Sequence, residues 1–344
     1  MANSETLSDY SERLEHCLNK YKIKRFDDLY LSKNNLEVVG RGGSALIYST
    51  NFKENKYALK SFNGNIYMDD KTFKTFIKEL KIFNEIDHQN IIKFYGISKV
   101  QPEENLFQTS KFVLVLQFAK GGTLRNHLKA KLCNDFYKIS WKELIKIAME
   151  ITLGLKYLHG KDIIHRDLHS NNILIDDDKA LIADFGISKQ LNDTNNSISE
   201  IMGVLAYIDP RCIDSNEKPD KKSDIFSLGM LFWELTSGTP PFNGYSKRAV
   251  GFKIWEKDRV KVVDNTPLDY VSLYKMCYSL EPDKRPTLDT ILNKLKRLSV
   301  ETTIEYIENE IDLDKPIVQQ ENINFCNASD HHKGKIFLLV NINM

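Results

Sequence analysis

His165-Arg166-Asp167-Leu168-His169-Ser170-Asn171-Asn172, followed by Asp184-Phe185-Gly186, sits in the middle of the 344-residue chain. On its N-terminal side Leu144, Ile147, Ala148, Ile151, Leu155 and Leu158 recur with a clear helical period. On its C-terminal side Asp224 to Leu235 is apolar enough for a buried helix. Further upstream the pattern changes to short β-like runs: Leu36 to Val39, Leu46 to Ser49 and Tyr57 to Lys60, separated by turn residues such as Asn55. A helix is predicted from roughly Lys71 to Ile86, with Phe73, Phe76, Ile77, Leu80 and Phe83 on one face. Two more strands are predicted around Ile91 to Ile97 and Lys111 to Phe118, and Gly121-Gly122 breaks the run. The chain therefore reads as α+β, a small β-rich lobe followed by a larger, mostly helical one.

The ends are plainer. Residues 1 to about 30 are predicted to be an amphipathic helix through Tyr10, Leu14, Leu18 and Tyr21, packed on the domain or binding a partner. Residues 301 to 344 have mixed polarity and no clean period. Their last apolar run, Lys335 to Val340, is β-prone and equally suited to packing on the body, pairing with another chain or staying unfolded.

Composition bounds the rest. With 42% hydrophobic and 28% charged residues a full core can form, and the length fits one two-lobed unit or two ordinary domains. Lys and Arg number 48 against 47 Asp and Glu, a net charge of +1. That balance argues against a general nucleic-acid or anionic-membrane binder. Met1 to Ser11 is polar and acidic, unlike a secretory signal, and no stretch approaches the roughly 18 apolar residues of a membrane helix. Cys17, Cys133, Cys212, Cys277 and Cys326 are odd in number and show neither metal-ligand nor redox spacing. They read as reduced thiols of a cytosolic or nuclear protein, and a cytoplasmic location is expected.

Two features outside the central stretch suggest a nucleotide. Gly40-Arg41-Gly42-Gly43-Ser44-Ala45-Leu46-Ile47 lies between predicted strands. Glycines let backbone N–H groups approach phosphate oxygens with no Cβ in the way, although a glycine-rich hairpin is also an ordinary structural turn. Lys60 ends an apolar strand, where a lysine is commonly a solvated strand end. Glu79 lies between Phe76 and Phe83 on the apolar helix face, where an unpaired carboxylate is costly. Lys60 can neutralise it and be held against phosphates.

Taken together, these stretches resemble the eukaryotic protein-kinase family over roughly residues 36 to 298. The central run matches the catalytic loop H-R-D-L-x-x-x-N, and Asp184-Phe185-Gly186 the D-F-G motif. Lys60 and Glu79 match the family's lysine–glutamate pair. The resemblance implies that Asp167 accepts or orients the substrate hydroxyl proton, and that Asn172 and Asp184 hold Mg2+ bridging the phosphates of ATP. It places Gly40, Gly42, Gly43 and Lys60 at the phosphates. It puts Leu116-Gln117-Phe118-Ala119 at the interlobe hinge, with Leu116 as gatekeeper. Backbone groups of Gln117 and Ala119 then bond the adenine edge, and Ile47, Ala58 and Leu174 enclose the ring. Asp224-Ile225-Phe226-Ser227-Leu228-Gly229 is similar to the D-x-x-S-x-G helix start, and Glu281 to Thr287 to the closing arginine motif. The implied organisation is a helical extension at 1–35, a kinase domain at 36–298 (small lobe about 36–116, large lobe about 120–298) and a tail at 299–344. Asp167 to Asn172 and Ser223 to Leu235 look most like the tyrosine-kinase-like group, most of whose members phosphorylate serine and threonine. The expected partners are a protein substrate and an upstream activator; oligomeric state leaves no trace in the sequence.

Several positions depart from the family pattern. Ala45 holds the third glycine place of the loop. His169 stands where a lysine usually touches the γ-phosphate, and Val204 where serine/threonine kinases place a threonine. Arg211, in Asp209-Pro210-Arg211, occupies the place of a glutamate that pairs with the arginine matched here by Arg285. Two facing arginines would repel, so a loosened activation segment is expected, unless Asp209 or Glu217 compensates. Arg166 implies control by phosphorylation, with Ser188, Thr194, Ser197 and Ser199 as candidates. The competing expectations are a dual-specificity kinase, a pseudokinase that binds nucleotide or partners without catalysis, and a small-molecule kinase on a related fold.

Overall fold

The structure, a computed structural model, describes residues 12–26, 36–41, 45–62, 77, 80–99, 112–184, 205–214, 217–243, 245 and 260–311. Gly42, Gly43, Phe73, Phe76, Glu79, Val204, the four candidate phosphorylation sites and the run Lys335 to Val340 lie outside these residues. The chain divides into two compact units, Met1–His127 with Met149–Ser197, and Leu128–Ala148 with Ile198–Met344.

The first unit begins with a helix at 12–20 (α1). It ends well short of residue 30, which corrects the sequence expectation. Lys22 turns left-handed (φ 53°), and the next residues run alongside a sheet. That sheet comprises β1 (Glu37–Arg41), β2 (Ala45–Phe52), β3 (Asn55–Phe62), β4 (Phe94–Lys99) and β5 (Phe112–Gln117), all antiparallel, in the order β1-β2-β3-β5-β4. A helix at 80–85 (α2) precedes β4. Arg25 makes a parallel bridge to Ile97; the Phe26 N–H donates to Ile97 O at 2.9 Å, and the Ile97 N–H to Lys24 O at 3.0 Å. Residues 24–26 stop being helical because the edge of β4 offers their backbone groups partners that a surface helix end lacks. Phe26 then joins Tyr48, Leu59, Val113 and Val115 in the core beneath the sheet. Gly96 makes this approach possible: its φ is 147°, and a Cβ there would lie 2.1 Å from Lys24 O. The unit also holds β8 (Ile173–Asp176) and β9 (Lys179–Ile182), an antiparallel pair beyond the catalytic-loop residues.

The remaining elements are α3 (Leu124–Lys129), β6 (Leu132–Cys133), β7 (Phe136–Ser140), α4 (Trp141–Gly160), α5 (Pro210–Asp214), α6 (Lys221–Ser237), α7 (Leu268–Cys277), α8 (Leu288–Glu301) and β10 (Tyr306–Glu310). In the second unit, α6 is buried from Ser223 to Ser237. Its ends are well defined: Asp220 and Ser223 form a capping box, and Gly238 closes it at φ 73°. Gly229 lets α7 approach, since a Cβ there would meet Cys277 Cβ at 2.7 Å and Tyr274 O at 2.9 Å.

The second unit also contains a sheet that the sequence did not suggest. β10, β7 and β6 are antiparallel in that order, with Tyr306 opposite Ser140 and Glu310 opposite Phe136. The tail therefore contributes a strand where no periodicity was legible. Within Tyr306-Ile307-Glu308-Asn309-Glu310 only Ile307 is buried, and a single inward apolar residue makes no countable alternation. The strand is tied at both ends: the Trp141 N–H donates to Glu305 O at 2.8 Å, and the Ile311 N–H to Asp135 O at 2.7 Å. Ile307→Ala is expected to cost about 2–3 kcal/mol, the low end for a buried isoleucine because an edge strand can relax into the gap. Denaturant unfolding checks this; an unchanged midpoint would mean that β10 contributes nothing to the unit. Among the described residues no helix is long and apolar enough to cross a membrane.

Candidate active site

The polar groups of the central stretch converge within the first unit. Leu168 is buried and pins the loop from below. His165, also buried, accepts the Asp167 N–H on Nδ1 at 3.2 Å, which leaves its hydrogen on Nε2, 3.0 Å from Ala183 O. One neutral imidazole thus joins the residue before Asp184 to the loop that carries Asp167. The Ala183 N–H donates to Asn172 O at 2.8 Å and ties the same two segments again. Arg166 (φ 70°) and Asp184 (φ 57°) are both left-handed, an uncommon conformation for non-glycine residues that aspartate tolerates better than arginine.

Asn172 is oriented by its neighbours. Its Nδ2 donates to Asp167 O at 2.8 Å and to Asp167 Oδ2 at 3.2 Å. Both amide hydrogens are thereby engaged, and the carboxamide oxygen is the end presented to a ligand. Lys60 on β3 is buried, and its Nζ lies 2.6 Å from Asp184 Oδ1. The side chain of Asp184 is 40% exposed. A cation wanting oxygen donors finds two here, the amide oxygen of Asn172 and the carboxylate of Asp184, and that donor set suits Mg2+. His169 is also buried. Its Nδ1 accepts the Asn171 N–H at 3.2 Å, so the neutral ring carries hydrogen on Nε2, 3.6 Å from Asp167 Oδ1. Asn172 Nδ2 is 3.2 Å from the same nitrogen, and ring and amide share the Asp167 carboxylate.

The segment following β5 is fastened to β8. The Gly121 N–H donates to Ile175 O at 2.9 Å, the Ile175 N–H to Gly122 O at 2.8 Å, and Leu174 bridges to Thr123. Ala58 stands opposite Leu116 across β3 and β5, and Ile47 opposite both Gly40 and Lys60. The Gln117 N–H is spent on Lys93 O at 2.9 Å, and the Ala119 carbonyl accepts the Gly122 N–H at 3.3 Å. The sequence reading missed Asp176, which grips this segment: its carboxylate accepts Gln117 Nε2 at 2.8 Å and the Lys120 N–H at 3.1 Å. Lying in Asp176-Asp177-Asp178, it has the look of a solvated acidic turn. A Cβ on Gly40 would make only ordinary contact with Ile47, 3.5 Å, so the strand pair itself does not demand glycine there.

A family model described as the protein kinase domain matches residues 34–295. The chain belongs to the protein kinase domain family. A putative serine/threonine-protein kinase/receptor of Acanthamoeba polyphaga mimivirus is 30% identical over 273 residues, 78% of this chain and 15% of that protein. A serine/threonine/tyrosine-protein kinase of Arabidopsis thaliana is 29% identical over 262 residues, 74% of this chain and 64% of that protein. Receptor-interacting serine/threonine-protein kinase 1 of Homo sapiens is 30% identical over 265 residues, 72% of this chain and 38% of that protein. The chain thus spans less than two thirds of each of these relatives.

The second unit of this kinase domain resolves the expectation at Arg211 in favour of compensation by Asp209 and Glu217. Arg285 does not face an opposing arginine. It is fully buried and donates from Nη1 to Asp209 Oδ2 at 2.5 Å and from Nη2 to Asp209 Oδ1 at 3.1 Å. Arg211 shares the Oδ2 oxygen of the same carboxylate, with Nη2 2.8 Å from Asp209 Oδ2, 3.2 Å from Asp220 and Nη1 3.2 Å from Glu217. The buried ion pair is therefore present, displaced by two residues, and the two guanidinium charges are met by three carboxylates. The repulsion that suggested a loosened segment does not arise.

Proposed function

We propose that this protein kinase domain transfers the γ-phosphate of ATP to serine and threonine hydroxyls of protein substrates. The observation that carries the proposal is the convergence of Asp167, Asn172 and the Lys60–Asp184 pair in one unit, Asn172 held by the backbone oxygen of Asp167 and Asp184 by Lys60 from β3. Asp167 orients the incoming hydroxyl and takes its proton. Lys60 lies against the phosphates, with Gly40, Gly42 and Gly43 above them. Asn172 and Asp184 hold Mg2+, which when bound neutralises charge on the phosphate oxygens. Gln117 and Ala119 meet the adenine edge, and Ile47, Ala58 and Leu174 enclose the ring. Glu79 completes the family's ion pair with Lys60. On this reading the catalytic domain occupies about 36–298, works on protein substrates in the cytoplasm and answers to an upstream activator.

One observation supports dual specificity as a second reading: a relative of similar identity is named a serine/threonine/tyrosine-protein kinase. Incorporation of labelled phosphate from ATP into the chain and a generic protein substrate, followed by phosphoamino-acid analysis, tests both. Phosphoserine and phosphothreonine are the expected products. Phosphotyrosine alone would overturn the specificity, and no incorporation would overturn the activity.

His169 supplies a further expectation. Its Nε2 lies 3.2 Å from Asn172 Nδ2 and 3.6 Å from Asp167 Oδ1, too far for a hydrogen bond to the carboxylate, so it acts by holding the two residues in place, an effect of about one power of ten. His169→Ala should reduce kcat about tenfold and leave the KM for ATP nearly unchanged. Steady-state kinetics separate the two constants; a rise in KM alone would instead assign His169 to nucleotide binding.

A further inference from the structure

We infer that residues 12–26 form a strap that positions α2, the helix immediately following Glu79, and that its docking sets the rate of phosphate transfer. The inference rests on the proposed kinase activity, because Glu79 matters only as the partner of Lys60. Kinase activity in the family requires that lysine–glutamate pair, and the position of the helix that presents the family's glutamate controls it.

The strap is folded as one piece. Leu14 and Leu18 are each 2% exposed, and Arg25 reaches back to Glu15 at 2.6 Å and Asn19 at 2.9 Å. It then grips two other elements. Along β4 it makes the Arg25–Ile97 bridge and its flanking hydrogen bonds, and Ser98 Oγ donates to Phe26 O at 3.1 Å. At α2, Asn84 Nδ2 donates to Tyr21 O at 3.1 Å, and Lys81 Nζ lies 5.5 Å from the centre of the Tyr21 ring. The helix itself rests on the sheet through Phe83, whose ring centroid is 5.9 Å from that of Phe94 at the start of β4. The three elements therefore make a closed triangle: strap on β4, α2 on β4, strap on α2. Releasing the strap would expose the edge of β4 and remove the Tyr21 contacts from α2.

Two full-length variants loosen the strap from opposite sides without touching Lys60, Asp167, Asn172 or Asp184. Asn84→Ala with Lys81→Ala removes the polar hold on α2 from its exposed surface. Gly96→Ala drives a methyl group into Lys24 O, because of the 2.1 Å approach, and lifts the strap from β4. Hydrogen exchange over residues 80–85 should accelerate about fivefold in either variant, the effect of one lost hydrogen bond. Turnover of a protein substrate, measured well below the melting temperature, should fall by a similar factor. A purely stabilising strap would lower the melting temperature and leave kcat of the folded protein unchanged at that temperature. The inference is overturned if exchange at 80–85 does not change, or if it accelerates while kcat stays within twofold of the parent chain. A parent chain that transfers no phosphate would refute the kinase reading and the rate-setting role together, with the exchange data still reporting whether the strap holds α2.

Discussion

Asp209→Asn is expected to destabilise the second unit by about 3–5 kcal/mol, the usual effect of removing one partner from a buried ion pair. The side chains of Asp209 and Arg285 are both 0% exposed, so the substitution leaves a guanidinium buried with no counter-charge. For a unit of this size the melting temperature should drop by roughly 10 °C. The loss should exceed that from Arg211→Ala, because Arg211 is partly exposed and Asp209 retains Arg285 without it. Arg211→Glu, which would restore the family's residue at that place, is expected to destabilise as well: the new carboxylate would face Asp209, Asp220 and Glu217. The carboxyl of Asp209 also predicts a pH dependence. Burial opposes its ionisation, yet hydrogen bonds from Arg285 and Arg211 hold it below the ordinary value of 3.8. A carboxylate depressed on folding contributes stability that is present above that value and lost as the pH falls through its folded one. The parent chain should therefore lose stability below about pH 4 more steeply than Asp209→Asn. Melting curves across that range measure both effects, and an Asp209→Asn protein as stable as the parent at neutral pH would show that the pair does not anchor the segment.

What the sequence disclosed, and what it withheld, follows the range of the interactions. The helix through Leu155 was legible from its period, the helix through Leu228 from its apolar run, and the β-runs near Val38, Ile47 and Leu59 from short apolar runs between turn residues. The candidate site residues Lys60, Asp167, Asn172 and Asp184 could be proposed from sequence because phosphoryl transfer fixes residue types at fixed order. Contacts that depend on a distant partner were not. Arg211 suggested repulsion unless Asp209 or Glu217 compensated; only the fold decides between the two, showing that Asp209 turns toward Arg285, 76 residues on, and meets it with both oxygens. Residues 24–26 continued a helical pattern in sequence, yet their carbonyls and N–H groups belong to the edge of β4. β10 was hidden for the same reason: its strand exists because β7 offers a ladder, and one buried isoleucine cannot announce that locally.

Asp167→Asn is expected to reduce phosphate transfer by about 10²–10⁴-fold, the usual contribution of a positioned general base. The substitution keeps the shape of the side chain. It also keeps the carboxamide oxygen that Asn172 Nδ2 needs, now held at 3.2 Å by Asp167 Oδ2. The backbone ties do not involve the carboxylate: the Asp167 N–H still donates to His165 Nδ1, and Asp167 O still accepts Asn172 Nδ2 at 2.8 Å. Stability should therefore change by less than about 0.5 kcal/mol. Nucleotide affinity should hold, because Lys60, Asn172 and Asp184 keep their places. What is lost is basicity, together with a negative charge able to orient a hydroxyl hydrogen. Initial rates, a melting curve and binding of a fluorescent ATP analogue measured on the same preparation separate these outcomes. A variant that melts and binds like the parent but transfers at less than a hundredth of its rate assigns the proton to Asp167. A variant that retains its rate would show that Asp167 is not the base.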